Sequence, residues 1–202
     1  MAEPKLADIR LLVVDDSLYM RQILRYMLYG FGVRQVIEAE NGEQGYALFQ
    51  ARAPDIVVTD WIMPLVDGLE LTRMIRNDDS GQNIFVPIIL MSGHSERSQV
   101  IEARDAGITE FLCKPVSARS LYQHVVSCIA NSRQFVKTKT FFGPDRRRFV
   151  FPDYDGEERR VVSAEDAIVD GDDRNVVVVD TTAKDADEET VPPAETAGDA
   201  SA

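Results

Sequence analysis

Up to about residue 133 the chain alternates short apolar runs with stretches in which apolar residues recur every three or four positions. "IRLLVV" (9–14) has strand length, and behind it Met20, Ile23, Leu24, Met27 and Leu28 fall at helical i, i+3, i+4 spacing after Ser17, a residue suited to cap a helix. Gly30 and Gly32 stop that helix. "VRQVIEA" then predicts a second strand, "NGEQGYALFQAR" a second helix closed before Pro54, and "DIVVTD" a third strand. "LELTRMIRN" is helical, "VPIILM" a fourth strand, "SERSQVIEARDAG" a helix ending at glycine, "TEFLC" a fifth strand and "SARSLYQHVVSCIANS" a fifth helix. Leu121, Val125, Cys128 and Ile129 share one face of that last helix.

Strands that are apolar on both faces, each followed by a helix, imply a five-stranded parallel sheet with helices on both faces and right-handed crossovers. Such open sheets form their ligand site outside the carboxyl ends of the strands. Asp15 and Asp16 follow the first strand, Asp60 ends the third, Ser92 follows the fourth, and Lys114-Pro115 the fifth. Taken singly, an Asp or Ser there is often a helix cap and a Lys merely solvated. Together they place three acids, a hydroxyl and an amine on one rim.

Crowded acids are costly. Two carboxylates about 5 Å apart at an effective dielectric near 20 repel by roughly 3 kcal/mol. A divalent cation relieves this, and an oxygen-only ligand set without Cys or His favours a hard ion such as Mg²⁺. A metal beside a carboxylate and a lysine suits phosphoryl transfer, with Asp as a possible nucleophile through an aspartyl phosphate.

"VVDDS", "VVTDWIMPLVDG", "ILMSG" and "AGITEFLCKPV", in that order, resemble the receiver domain of two-component response regulators, the CheY-like family, over roughly residues 8–132. The resemblance implies the flavodoxin-like, doubly wound (βα)5 fold. It implies that Asp60 accepts a phosphoryl group from a histidine kinase, a phosphotransfer protein or a small phosphodonor. Mg²⁺ would be bound by Asp16, Asp60 and the backbone carbonyl of Ile62, with Asp15 acting largely through water. Lys114 would pair with the acidic site and then the phosphate, Ser92 would hydrogen-bond a phosphoryl oxygen, and Phe111 would stand at the switch-aromatic position. Lys114-Pro115 resembles the family's cis peptide. Switching would remodel the face of helix four, strand five and helix five, to which a downstream protein binds. Phe111 lacks the hydroxyl of the tyrosine often found there, which favours an inward, apolar rotamer. Ile62 and His94 stand where polar residues often tune dephosphorylation, so an unusual rate is expected. Trp61, the one tryptophan, is expected to be a partly exposed lid.

The charge balance changes the picture mainly beyond residue 133. Net charge is −12 and the sequence pI about 4.6, which argues against nucleic-acid phosphate and an anionic membrane as partners. Residues 161–202 carry 12 acids against two bases and read as a disordered acidic tail, and residues 133–160 as an aromatic and basic linker. Within the linker "FFGPDRRRFVF" could dock on an acidic surface, the receiver's own included, or stay a solvated basic segment; "RNVVVVD" is β-prone but expected to be unstructured. No pair of amphipathic helices offers a DNA-binding domain, so a stand-alone receiver is expected. No run approaches a membrane span and no signal peptide opens the chain, leaving a cytoplasmic expectation. Cys113 and Cys128 read as buried, reduced packing residues. Two other readings stand against the signalling one: an aspartyl-phosphate phosphatase of the haloacid-dehalogenase kind, which needs a second Asp where Ile62 stands, and a scaffold that uses the fold without phosphorylation.

Overall fold

The computed structural model describes residues 6–79, 83–93, 96–130, 135–137, 142–145 and 176–178. Five strands, β1 (Arg10–Val14), β2 (Gln35–Ala39), β3 (Ile56–Asp60), β4 (Ile88–Ser92) and β5 (Glu110–Cys113), each lead into a helix. The helices are α1 (Leu18–Gly30), α2 (Gly42–Arg52), α3 (Gly68–Arg76), α4 (Arg97–Asp105) and α5 (Ala118–Ala130). The strands pair in parallel in the order β2-β1-β3-β4-β5. This is the five-stranded parallel sheet that the apolar runs predict, in the doubly wound order that the resemblance implies.

Period-two alternation explains why both sheet faces are dry. Leu12 and Val14 of β1, Val57 of β3 and Ile88 and Leu90 of β4 join Phe49, Leu69, Leu71, Ile75 and Ala103 from α2, α3 and α4. The intervening residues Leu11, Val13, Ile56, Val58, Ile89 and Met91 point the other way, against Leu24 and Leu28 of α1 and Leu121, Val125 and Cys128 of α5. Burying each of these large side chains contributes about 1.5–3 kcal/mol. β3 and β4 are buried throughout, as central strands must be.

The helices begin where polar caps occur. Ser17 accepts from Met20 N, Asn41 from Gln44 N and Asp67 from Glu70 N. α4 is shorter than its sequence pattern suggests: Glu96 makes no side-chain cap bond, and the helix gives out before Gly107, whose φ of +98° leaves the helical region.

Periodicity offered no element after residue 133, yet the described residues there form three short strands: β6 (Phe135–Lys137), β7 (Phe142–Pro144) and β8 (Val176–Val178). They form a small sheet in the order β7-β6-β8, antiparallel between β6 and β7 and parallel between β6 and β8. Three residues are too few to display alternation, and what holds β6 and β7 is a tertiary contact of phenylalanines with Phe85. The valines of "RNVVVVD", expected to be unstructured, find a pairing edge on β6. The rest of the acidic tail, Arg146 to Arg148 and His94 lie outside the described residues. Cys128 is buried as expected, but Cys113 is exposed, because it ends an edge strand of alternating burial. No helix among the described residues is long and apolar enough to cross a membrane.

Candidate functional site

The chain runs from β1 to β2 in one direction and from β3 to β5 in the other, so the crevice at the carboxyl ends of β1 and β3 is the topological switch point. β3 delivers Asp60 to this crevice as the last residue of a buried strand. Its carboxylate is held on both sides: Trp61 N donates to Oδ1 at 2.8 Å and Lys114 Nζ lies 2.8 Å from Oδ2. The β3–α3 loop then folds back, with Gly68 N donating to Trp61 O at 2.9 Å. A Cβ at Gly68 would run into the Asp60 carbonyl, so the close return of α3 onto β3 requires glycine. In the same loop Leu65 takes φ +69°, a left-handed conformation that costs a leucine about 1–2 kcal/mol, with its side chain exposed.

β1 delivers Asp15, which is almost fully buried. Its backbone N donates to Ala39 O, its carbonyl accepts from Arg21 Nη1 at 2.6 Å, and Oδ1 accepts from Ser17 N at 2.9 Å. Among the described residues Oδ2 has no hydrogen-bond donor, and the Lys114 ammonium lies 3.6 Å away. Burial pushes the Asp15 carboxyl above its ordinary value; the Ser17 amide and Lys114 pull it down, and the neighbouring Asp60 and Asp16 push it up further. Asp16 is exposed beside it. One oxygen from each of Asp15, Asp16 and Asp60 lies within 4.8 Å of the others.

The remaining predicted residues line the same end of the sheet. Ser92 ends β4, buried, and its carbonyl accepts from Lys114 N at 2.7 Å, which ties the ends of β4 and β5 together. Lys114-Pro115 is cis. Phe111, half-buried in β5, meets Trp61 edge to face at 6.2 Å between ring centroids. Trp61 is itself half-buried against the core, and Ile62 turns its side chain to solvent. Sequence reasoning missed Arg21. Its place on the buried stripe of α1, in phase with Leu24 and Leu28, marks it: there it orients the Asp15 backbone and lies 3.7 Å from Glu38.

A doubly wound domain with three carboxylates and a lysine gathered at its switch point defines an α/β module with an acidic site. Residues 11–126 match the family model described as the response regulator receiver domain, and the chain belongs to that family. Among curated relatives it is similar to chemotaxis protein CheY1 of Helicobacter pylori, 36% identical over 113 residues that span 55% of this chain and 90% of the relative. Chemotaxis protein CheY of Pseudomonas aeruginosa is 31% identical over 116 residues, 57% of this chain and 92% of the relative. Among solved structures, chemotaxis protein CheY4 of Vibrio cholerae superposes with a TM-score of 0.54 at 26% identity, covering 58% of this chain and 95% of that one. The receiver domain of a sensor histidine kinase from Pseudomonas aeruginosa, solved with a magnesium ion coordinated in its active-site cleft, gives 0.53 at 26% identity, covering 59% and 95%.

Proposed function

We propose that the chain is a phosphoacceptor signalling protein of a two-component phosphorelay, in chemotaxis or a related response, and that Asp60 is the residue phosphorylated. The observation that carries this reading is the Asp60 carboxylate, presented at the end of a rigid strand between a backbone amide and the Lys114 ammonium, within 4.8 Å of two further acids. A scaffold without phosphorylation would have no use for this charge cluster.

The residues present fit a hard divalent cation. The buried Asp15 Oδ2 lacks a donor, and the converging ligands are all oxygens, the donor set that Mg²⁺ prefers. Asp15, Asp16 and Asp60 would hold it, with the Ile62 carbonyl. When bound, Mg²⁺ neutralises charge on the oxygens of the transferring phosphoryl group. An Asp60 oxygen forms the new bond to phosphorus as the bond to the donor breaks, and the donor's imidazole or acyl oxygen leaves with the electron pair. Lys114, already paired with Asp60, supplies a positive charge that can follow the negative charge onto the phosphoryl group.

The switch follows from the same geometry. A phosphoryl group of about −1.5 to −2 charge offers oxygens that the Ser92 hydroxyl and Lys114 satisfy by moving inward. Lys114 is tied to the end of β4 through Ser92 O, and Phe111 lies in the same strand against Trp61, so the displacement reaches the α4–β5–α5 face, where a downstream protein binds. The donor is a cytoplasmic histidine kinase or phosphotransfer protein, or a small acyl phosphate.

The test is incubation of the full chain with Mg²⁺ and acetyl phosphate, followed by intact mass measurement. A phosphate increment in the native chain and none in Asp60→Ala is expected; an increment that survives in Asp60→Ala overturns the assignment.

A further inference from the structure

Arg76 ends α3 as a buried cation with an unusual set of partners. Its Nε donates to Gly107 O at 2.9 Å, and Nη1 to the carbonyls of Ile84 and Val86 at 2.6 and 2.9 Å. One guanidinium thereby joins the end of α3 to the α3–β4 loop and to the α4–β5 loop. Nη2 is buried and has no hydrogen-bond partner among the described residues, and burial draws the guanidinium down to a pKa of about 9. Carbonyl dipoles and an aromatic ring stand in for a counter-ion.

That ring comes from beyond α5. The Arg76 guanidinium lies 5.1 Å from the centroid of Phe135, which is buried. Phe135, Phe142 and Phe85 form a triangle of rings with centroids 5.0 to 5.6 Å apart. Gly143 and Pro144 are buried as well. The contact is close: a Cβ at Gly107 would stand 2.9 Å from Phe142 O and 3.2 Å from Arg76 Cγ, and Gly107 already needs φ +98°. The β6–β7 pair therefore covers Arg76 and packs with it against the α4–β5 loop.

The gripped loop leads directly into the strand that carries the switch. Thr109 N donates to Ile88 O at 2.9 Å while its hydroxyl accepts from Ile88 N at 3.1 Å, and β5 then carries Phe111 and, just past its end, Lys114. A shift of β5 or of the end of α4 has to give up contacts at Gly107. The arrangement that keeps those contacts is the one in which Lys114 pairs with Asp60.

We propose that the β6–β7 pair is an intramolecular strap that holds the α4–β5 loop in the resting arrangement, so that it restrains the switch and is itself loosened when Asp60 is phosphorylated. This rests on the reading of Asp60 as phosphoacceptor. Thermodynamic reciprocity makes the two halves of the claim one coupling: what phosphate costs the strap, the strap costs phosphorylation.

The experiment is hydrogen exchange of the full chain, followed by mass spectrometry on peptides spanning 105–109 and 135–145, before and after treatment with Mg²⁺ and acetyl phosphate. Intact mass reports occupancy of Asp60. Phosphorylation is expected to speed exchange in both segments by about fivefold or more, the range of ordinary allosteric coupling. A phosphorylated chain with unchanged or slower exchange there overturns the strap and leaves the Asp60 reading standing. A chain that takes up no phosphate overturns both. In a second arm, Phe142→Ala keeps Phe135 over Arg76 and should tighten equilibrium binding of beryllofluoride with Mg²⁺, an unreactive stand-in for the phosphoryl group, about fivefold. A variant that melts cooperatively and binds beryllofluoride with native affinity overturns the proposal; the exchange measurement on the native chain decides it if the variant does not fold.

Discussion

Asp15 is the member of the acidic cluster whose removal gives the least obvious result, because its charge is poorly housed. Asp60 and Asp16, within 4.8 Å, each repel it by about 3 kcal/mol at an effective dielectric near 20, and the Lys114 ammonium at 3.6 Å attracts it by about 5 kcal/mol. Solvent screens the share of the exposed Asp16 by roughly half, so the pairwise terms nearly cancel. What remains is the burial of Oδ2 without a donor, a cost of about 1–3 kcal/mol. Asp15→Asn keeps the shape, retains an acceptor for Ser17 N and removes the buried charge. In metal-free buffer at neutral pH it should stabilise the protein by about 1 kcal/mol, raising Tm by about 4 °C for a domain of this size. Burial raises the folded-state pKa of Asp15, so this group's contribution is fully present below its unfolded value and lost as pH rises through the folded one. The advantage of Asp15→Asn should accordingly shrink as pH falls toward the ordinary carboxyl range. Saturating Mg²⁺ should reverse the order: at about a hundredfold excess over Kd the native chain gains about 2.7 kcal/mol, and the variant much less. Thermal melts in EDTA and in Mg²⁺ read all of this. A variant that melts lower in EDTA, together with equal Mg²⁺ shifts in both proteins, would refute the reasoning.

Three further outcomes are expected. Mg²⁺ should change the emission of Trp61, whose backbone amide binds Asp60 Oδ1 and whose ring packs on Phe111, and Asp60→Asn should abolish most of the change; a titration with flat fluorescence contradicts the site. Gly68→Ala drives a methyl group into the Asp60 carbonyl and to within 2.8 Å of Leu90 Cδ1, and should cost about 3 kcal/mol in chemical denaturation; a loss under about 0.5 kcal/mol would mean that α3 can retreat from β3. Ile62→Asn puts a polar group on the exposed rim beside Asp60, where it can orient an attacking water, and should shorten the phosphoryl half-life severalfold; an unchanged half-life removes Ile62 from any role in hydrolysis.

The strap and the acidic crevice lie at opposite ends of β5, and they were unequally visible before the fold was known. Asp15, Asp16, Asp60, Ser92 and Lys114 could be placed because each directly follows an apolar run, and the ends of parallel strands share one rim. Arg76 gave no such signal. In the sequence it is one of two arginines in the last turn of α3, where a basic residue is ordinary. Only the carbonyls of Ile84, Val86 and Gly107, brought from two other loops, make it a buried cross-brace. The pairing of Val176–Val178 with β6 was hidden for the same reason, since a β-prone run has no partner until a distant edge comes near.

What the sequence determined by itself was therefore everything governed by local period: apolar runs that become buried strands, the alternating helices with the first begun by Ser17, and an acidic rim at the strand ends. The tertiary structure alone decided which charges are desolvated, which polar atoms go without a donor, and how short strands with no periodic signature find their partners. Those properties depend on distances between residues remote in the chain, such as Phe135 from Arg76 and Lys114 from Asp15, and chain closure sets them after the local pattern has already been spent.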